Sequence, residues 1–312
     1  MAEPLAIAAL AIEAMVGWPE PLYRRIGHPV GLFASAIDAA EQHWNKPTGR
    51  ETTRRIAGIA LVLLLLGLVG GGAWLIEREV RALCGVWAWP VLALLAVPGL
   101  AQRSLSDHVA PVAHALTKGD VSGARFAVSR IVGRDTASLG PGGIARAAIE
   151  SLAESFCDGV AAPLFWLLVG GLPGIWAYKA LNTADSLIGH REPRWRAFGW
   201  AAARADDVAN WIPARMAGLL ICLGAGRGFA TMGRDHRRHA SPNAGWPEAA
   251  MAGALGIRLA GPVAYDGVTH VKPWIGDGRN EATAGDIVYA LGLYRRACLL
   301  LWLIAGGVAW AL

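Results

Sequence analysis

Long uncharged stretches alternate with arginine-rich polar ones along this chain of 312 residues. The cleanest apolar run, residues 56–76, would be about 31 Å long as a helix, close to the roughly 30 Å hydrocarbon core of a bilayer. Residues 83–101 form a second apolar segment, in which Pro90 and Pro98 should kink the helix or end it early. A third, 159–178, carries Pro163, Gly170-Gly171 and Pro173-Gly174, so it reads as broken or re-entrant. The fourth, 211–230, is interrupted by Pro213, Arg215 and Arg227, and the fifth, 297–312, is short. Residues 4–18 are too few to span comfortably and contain Glu13, with no basic stretch ahead of them, which reads as a shallow or packed helix rather than a signal peptide. The pattern predicts an all-α polytopic membrane protein. It would be a single integral-membrane domain over 1–312, a helical bundle with about five spanning or re-entrant helices and amphipathic cytoplasmic helices.

Composition supports that class: 54% of residues are hydrophobic, 17% are charged and the mean hydropathy is +0.37. Lys and Arg concentrate in 18–55, 102–157 and 231–296, which places those loops on the cytoplasmic side of the membrane. The net charge of +5 fits an anionic inner leaflet, so membrane lipids are the expected surface partner and nucleic acid is not. Simple alternation of spans puts 179–210 on the opposite side although it carries five basic residues, and a re-entrant or bundle-buried 159–178 resolves the conflict. Cys84, Cys157, Cys222 and Cys298 are too widely spaced for a CxxC metal site and read as packing residues.

Three polar groups could carry chemistry. Glu150, Glu154 and Asp158 recur every four residues, one turn after Arg146, and run directly into the uncharged 159–178. Three ionised carboxylates in hydrocarbon would cost at most roughly 8–10 kcal/mol, so the stripe must face water, a cation or Arg/Lys partners. The second group is Lys179, Asn182, Asp185 and Ser186 on one helical face, followed by His190; a carboxylate and an amide oxygen three residues apart suit Mg²⁺, and an interhelical hydrogen-bond cluster is the alternative. The third is Arg204, Asp206, Asp207, Asn210 and Arg215, where either Asp could share a cation or a hydrogen bond with Asn210 and an acidic helix start is the plainer reading. His28-Pro29 opens an amphipathic helix with Asp38 and Glu41, and the turn-rich 241–248 segment reads as an ordered loop able to cover a site. No GxxxxGK[ST] or GxGxxG phosphate motif occurs in a suitable context.

Gly133-Arg-Asp-Thr, Ile149-Glu-Ser-Leu-Ala-Glu154, Asp158-Gly-Val-Ala-Ala-Pro, Tyr178-Lys-Ala-Leu-Asn-Thr-Ala-Asp185, Gly189-His190, Ala203-Arg-Ala-Asp-Asp207, Pro213-Ala-Arg215 and Ser241-Pro-Asn-Ala-Gly-Trp-Pro247 follow one another in a recognisable order. Together they resemble the CobD/CbiB family of cobalamin biosynthesis, the adenosylcobinamide-phosphate synthases, from His28-Pro29 to Tyr265-Asp-Gly267. The family usually opens with an acidic residue and Gly-Asp-Pro; this chain has Glu13 and Gly17-Trp-Pro-Glu20 there, so no role carries over to that position. The resemblance implies a carbon-nitrogen ligase that uses ATP and Mg²⁺ to join (R)-1-amino-2-propanol, or its O-phosphate, to the propionate carboxylate of adenosylcobyric acid. No permanently bound cofactor is expected, and other cobalamin-pathway enzymes are candidate partners. Under that resemblance Asp185, Asp206 or Asp207, with Asn182 and Asn210, would hold Mg²⁺; Arg134, Lys179, Arg204 and Arg215 would meet phosphates. Glu150 or Glu154 would act as the base or hold the amine, beside Asp158 and with His190 as a second candidate. An intramembrane Mg²⁺-dependent prenyl- or phosphotransferase, and a membrane transporter or regulatory protein, are the competing classes.

Overall fold

A computed structural model describes residues 4–311 except 266, 267 and 271, with the side chains of 20, 26, 263–265 and 268–270 left out. Asp266 and Gly267, part of the last motif, therefore lie outside the described residues. The order begins with α1 (Leu5–Val16), α2 (Glu20–Ile26), α3 (Pro29–Trp44), α4 (Glu51–Cys84) and α5 (Ala88–Ala96). Then come α6 (Gln102–Thr117), α7 (Val121–Ser129), α8 (Pro141–Phe156), α9 (Ala162–Ile188) and α10 (Trp200–Ala209). Helices α11 (Trp211–Ala225), α12 (Phe229–Asp235) and α13 (Gly245–Leu255) follow, then two short antiparallel ribbons and α14 (Ala284–Ala311). One ribbon pairs β1 (Leu259–Ala260) with β4 (Trp274–Ile275), the other β2 (Val263–Tyr265) with β3 (Val268–His270). The fold is all-α and of polytopic membrane type. Three helical runs, 51–117, 141–188 and 284–311, are long and apolar enough to cross a bilayer, and α10 with α11 adds a fourth if that broken pair is one span.

The chain gathers into two compact units, each assembled from distant segments. The first contains 1–101, 162–210 and 305–312, the second 102–161 and 211–304. In the first, α4 and α9 pack along each other, with α3, α5 and α10 against α9. Helix α3 starts where the sequence signals it: Pro29 occupies the first turn and the His28 side chain accepts from the Val30 N–H at 3.3 Å. The expected interruption near Gly170-Gly171 is a break at Gly171, whose φ of 61° and ψ of −150° no helix tolerates. The Leu172 N–H freed by that break donates to Glu77 Oε2 at 2.8 Å, so a carboxylate from α4 satisfies it. Residues 83–101 are likewise divided, into a 3₁₀ turn, the nine-residue α5 and a second 3₁₀ turn at Val97–Gly99.

The second unit packs α8 against α6, α7 and α13, and α11 against α13. Phe156 meets Tyr294 edge-on at 5.6 Å, and the Tyr294 hydroxyl donates to the Gln102 carbonyl at 2.7 Å. Helix α14 begins at Ala284, well before the apolar run at 297. Arg296, just ahead of that run, donates to the Gly224 carbonyl at 3.2 Å, and Asp286 accepts from the Thr283 N–H at the helix start. All four cysteines are free thiols.

Candidate active site

Helix α8 carries two of the three acidic side chains of the predicted stripe into one cavity. It ends at Phe156, and a wider π-turn over Cys157–Ala161 follows, so Asp158 leaves the α-helical register of Glu150 and Glu154. The cavity, of about 330 Å³, belongs wholly to the second unit; its polar lining is Arg134, Glu150, Ser151, Glu154, Ser155, His239, Glu248 and Lys272. Glu150 is buried with both oxygens engaged: Oε1 accepts from the Ala260 N–H at 2.7 Å and Oε2 from the Arg134 guanidinium. Glu154 is exposed where it lines the cavity.

Glu248 is only 4% exposed although it is a carboxylic acid on a helix of small apolar residues. Burial first, then the Glu150 and Glu154 carboxylates, push it well above the usual carboxylate range, against Arg134 and Lys272. His239 stands beside it, Nε2 3.8 Å from Glu248 Oε1. The Ser241 N–H donates to His239 Nδ1 at 3.0 Å, which puts the proton of a neutral ring on Nε2, facing Glu248. The lining thus combines an open carboxylate, a buried acid of raised pKa and two cations, a set able to take a small molecule with an ammonium at one end and an oxyanion at the other.

The remaining predicted residues, apart from Arg215, lie in the first unit. Asp206 accepts from Asn182 Nδ2 at 3.4 Å and from Asn210 Nδ2 at 3.0 Å, and Asn210 Oδ1 accepts from the Tyr178 hydroxyl at 3.0 Å. Asp207 pairs with Arg204 at 3.0 Å; Asp185 is half-buried on α9; His190 is exposed and rests against Trp195 at 5.3 Å. Lys179 lies close enough to His28 to add to burial in lowering the His28 pKa. In the second unit Arg215 is held between Trp211 and Trp246, 4.3 and 4.7 Å from the two ring centres. Among the described residues no three His, Cys, Asp or Glu side chains form a metal-holding group.

Comparison with known proteins agrees with the motifs. The model of the family described as CobD/Cbib protein matches residues 6–294. A cobalamin biosynthesis protein CobD of Rhodobacter capsulatus is 47% identical over 314 residues, covering 98% of this chain and 96% of that protein. Proteins of the same name from Sinorhizobium and Brucella suis are 46% and 47% identical, over 94% and 92% of this chain and 94% and 90% of theirs. The chain belongs to the CobD/CbiB family. No solved structure matches it. In this CobD/CbiB protein the cavity brings Arg134, Glu150 and Glu154 from among the sequence candidates together with His239, Glu248, Ala260 and Lys272, which no motif spacing singled out. A lone carboxylate in the apolar run 244–255 was the available signal for Glu248. Nothing local marks Lys272 or Ala260, which reach the cavity through the β1–β4 ribbon and its flank.

Proposed function

We propose that this chain performs ATP-dependent amide ligation in cobalamin biosynthesis, joining aminopropanol or its O-phosphate to the propionate carboxylate of adenosylcobyric acid. The observation that carries this reading is the cavity in which Glu154, Glu248 and His239 stand with Arg134 and Lys272. The corrinoid carboxylate attacks the γ-phosphorus of ATP, giving an acyl phosphate and ADP. The amine then attacks the acyl carbon, the carbon-nitrogen bond forms, and inorganic phosphate leaves. The ammonium must first lose a proton. Glu154 holds it from the open side, and Glu248, whose raised pKa brings it nearer that of the amine, accepts the proton, with His239 as its neighbour. Arg134 and Lys272 meet the phosphate of the amine substrate or of the acyl phosphate.

Mg²⁺ enters with ATP as part of that substrate. The donor set at Asp206 fits a resident ion only in part, because both Asp206 oxygens already accept from amide N–H groups, Asp207 pairs with Arg204 and Asp185 is half-buried on α9. Arginine-rich loops support a bacterial inner-membrane location with 102–157 and 231–296 facing the cytoplasm, where ATP is available.

The test is corrin mass after incubating the detergent-purified protein with adenosylcobyric acid, MgATP and either amine. Expected is a cobinamide or cobinamide-phosphate product that Glu154→Ala reduces. Absence of any ATP-dependent product with both amines would overturn the ligase and bring the prenyltransferase and regulatory readings forward.

A further inference from the structure

Among the described residues, Ala260 is the one non-glycine residue with a positive φ, at 59°. A side chain rarely adopts that conformation without something else holding it there. The surroundings over-determine it. Ala260 pairs with Trp274 across the β1–β4 ribbon, Arg146 lies 4.8 Å over the Trp274 ring, and Arg238 donates to the Trp274 carbonyl at 2.9 Å. Beyond Trp274, the Gly276 N–H donates at 2.9 Å to Asp235, a fully buried carboxylate that Arg234 grips through Nε and Nη2 at 2.8 Å each. The ribbon is thus tied down on both sides of its partner strand. The outcome of the strained backbone is the direction of one N–H: it points into the cavity wall and meets Glu150 Oε1.

We propose that Ala260 is a positioning residue whose left-handed backbone fixes Glu150, and through Glu150 presents the Arg134 guanidinium to an oxyanion in the cavity. Glu150 has one oxygen on each neighbour, so its carboxylate cannot rotate without releasing either the Ala260 N–H or Arg134. Arg134 is 17% exposed, and the fixed pairing decides which of its N–H groups remain turned towards the space that Lys272 shares. Glu150 is then an organiser, and the ammonium chemistry falls to Glu154 and Glu248. This rests on the cavity being the amine and phosphate site proposed above, although its oxyanion arm can be measured without turnover.

The experiment uses the full chain in detergent with inorganic phosphate as probe, followed by ³¹P line broadening, together with steady-state kinetics on the phosphorylated amine. In Ala260→Val the branched side chain cannot hold the positive φ, so the N–H turns away. Phosphate should then bind about tenfold more weakly, and KM should rise by about the same factor with kcat within about twofold. Ala260→Gly keeps the backbone geometry and should restore phosphate binding. Arg134→Gln, which removes the cation itself, should weaken phosphate binding at least as much as the valine variant, and circular dichroism separates misfolding from the proposed effect. A folded valine variant that binds phosphate as tightly as wild type would overturn the proposal, as would a glycine variant as weak as valine. If wild type forms no ATP-dependent product yet the phosphate affinities follow this order, the ligase reading fails and the positioning role stands.

Discussion

Glu41 and Glu248 are buried almost equally, at 6% and 4% exposure, and their surroundings treat the charge in opposite ways. Glu41 on α3 receives Arg194 through Nε at 2.9 Å and Nη2 at 2.7 Å, and Asn45 Nδ2 at 2.9 Å. Those partners, the Arg194 hydrogen bond first, outweigh burial and hold Glu41 below the usual carboxylate range. Glu248 has Glu150 and Glu154 as electrostatic neighbours, with Arg134 and Lys272 insufficient to offset them, and is pushed up. Burial sets the cost of a charge; the partners decide whether it is met. A carboxylate saturated by its fork belongs to the framework, and one left among its own kind is suited to moving a proton.

The largest test of that contrast is kinetic. Glu248→Gln should lower kcat by about 100-fold or more, the range for a lost general base, without lowering the melting temperature, whereas Glu41→Gln should leave kcat nearly untouched. Equal kinetic losses in both variants would erase the distinction. Next in size is the framework itself. Arg194→Ala strips the fork from a buried carboxylate and should lower stability, by less than the loss of a fully buried pair because the Arg194 side chain is 60% exposed and screened by solvent. Chemical denaturation in detergent would measure it, and a loss near zero would make the fork ornamental.

Stability against pH sharpens the comparison further, because the signs differ. The folded pKa of Glu41 is lowered, so its contribution is present above the ordinary carboxylate range and disappears as pH falls through the folded value. The folded pKa of Glu248 is raised, so its contribution is full at low pH and shrinks as pH climbs from the ordinary carboxylate range towards the raised value. Arg194→Ala should therefore flatten the acid limb of the melting-temperature profile, and Glu248→Gln should flatten the decline above it. If each variant flattens the other limb, the two assignments are reversed.

What the sequence disclosed follows the same division. Spans were legible because apolar runs of bilayer length need no partner to be recognised, and Gly170-Gly171 with Pro173 announced the α9 break by backbone chemistry alone. The carboxylates of α8 were legible through their spacing. Glu248, His239 and Lys272 were not, because an isolated acid in 244–255 becomes chemical only when folding brings it beside residues about a hundred positions earlier. The partner that closes the helix break, Glu77, was hidden for the same reason.

The smallest expected effect concerns the amide cluster of the first unit, which resembles Glu41 more than Glu248. Asp206 is 8% exposed, its two oxygens accept from Asn182 and Asn210, and Tyr178 closes the set through Asn210 Oδ1. Tyr178→Phe removes one hydroxyl from a buried network without adding volume and should cost about 1 kcal/mol of stability. If the cluster only orders α9 and α10, KM for MgATP should stay within about twofold, since a neutral hydrogen bond remote from a phosphate contributes no charge to it. A rise of about tenfold or more in that KM, at unchanged stability, would move Asp206 and its amides from the framework to the metal-nucleotide site and give the molecule a second reactive carboxylate.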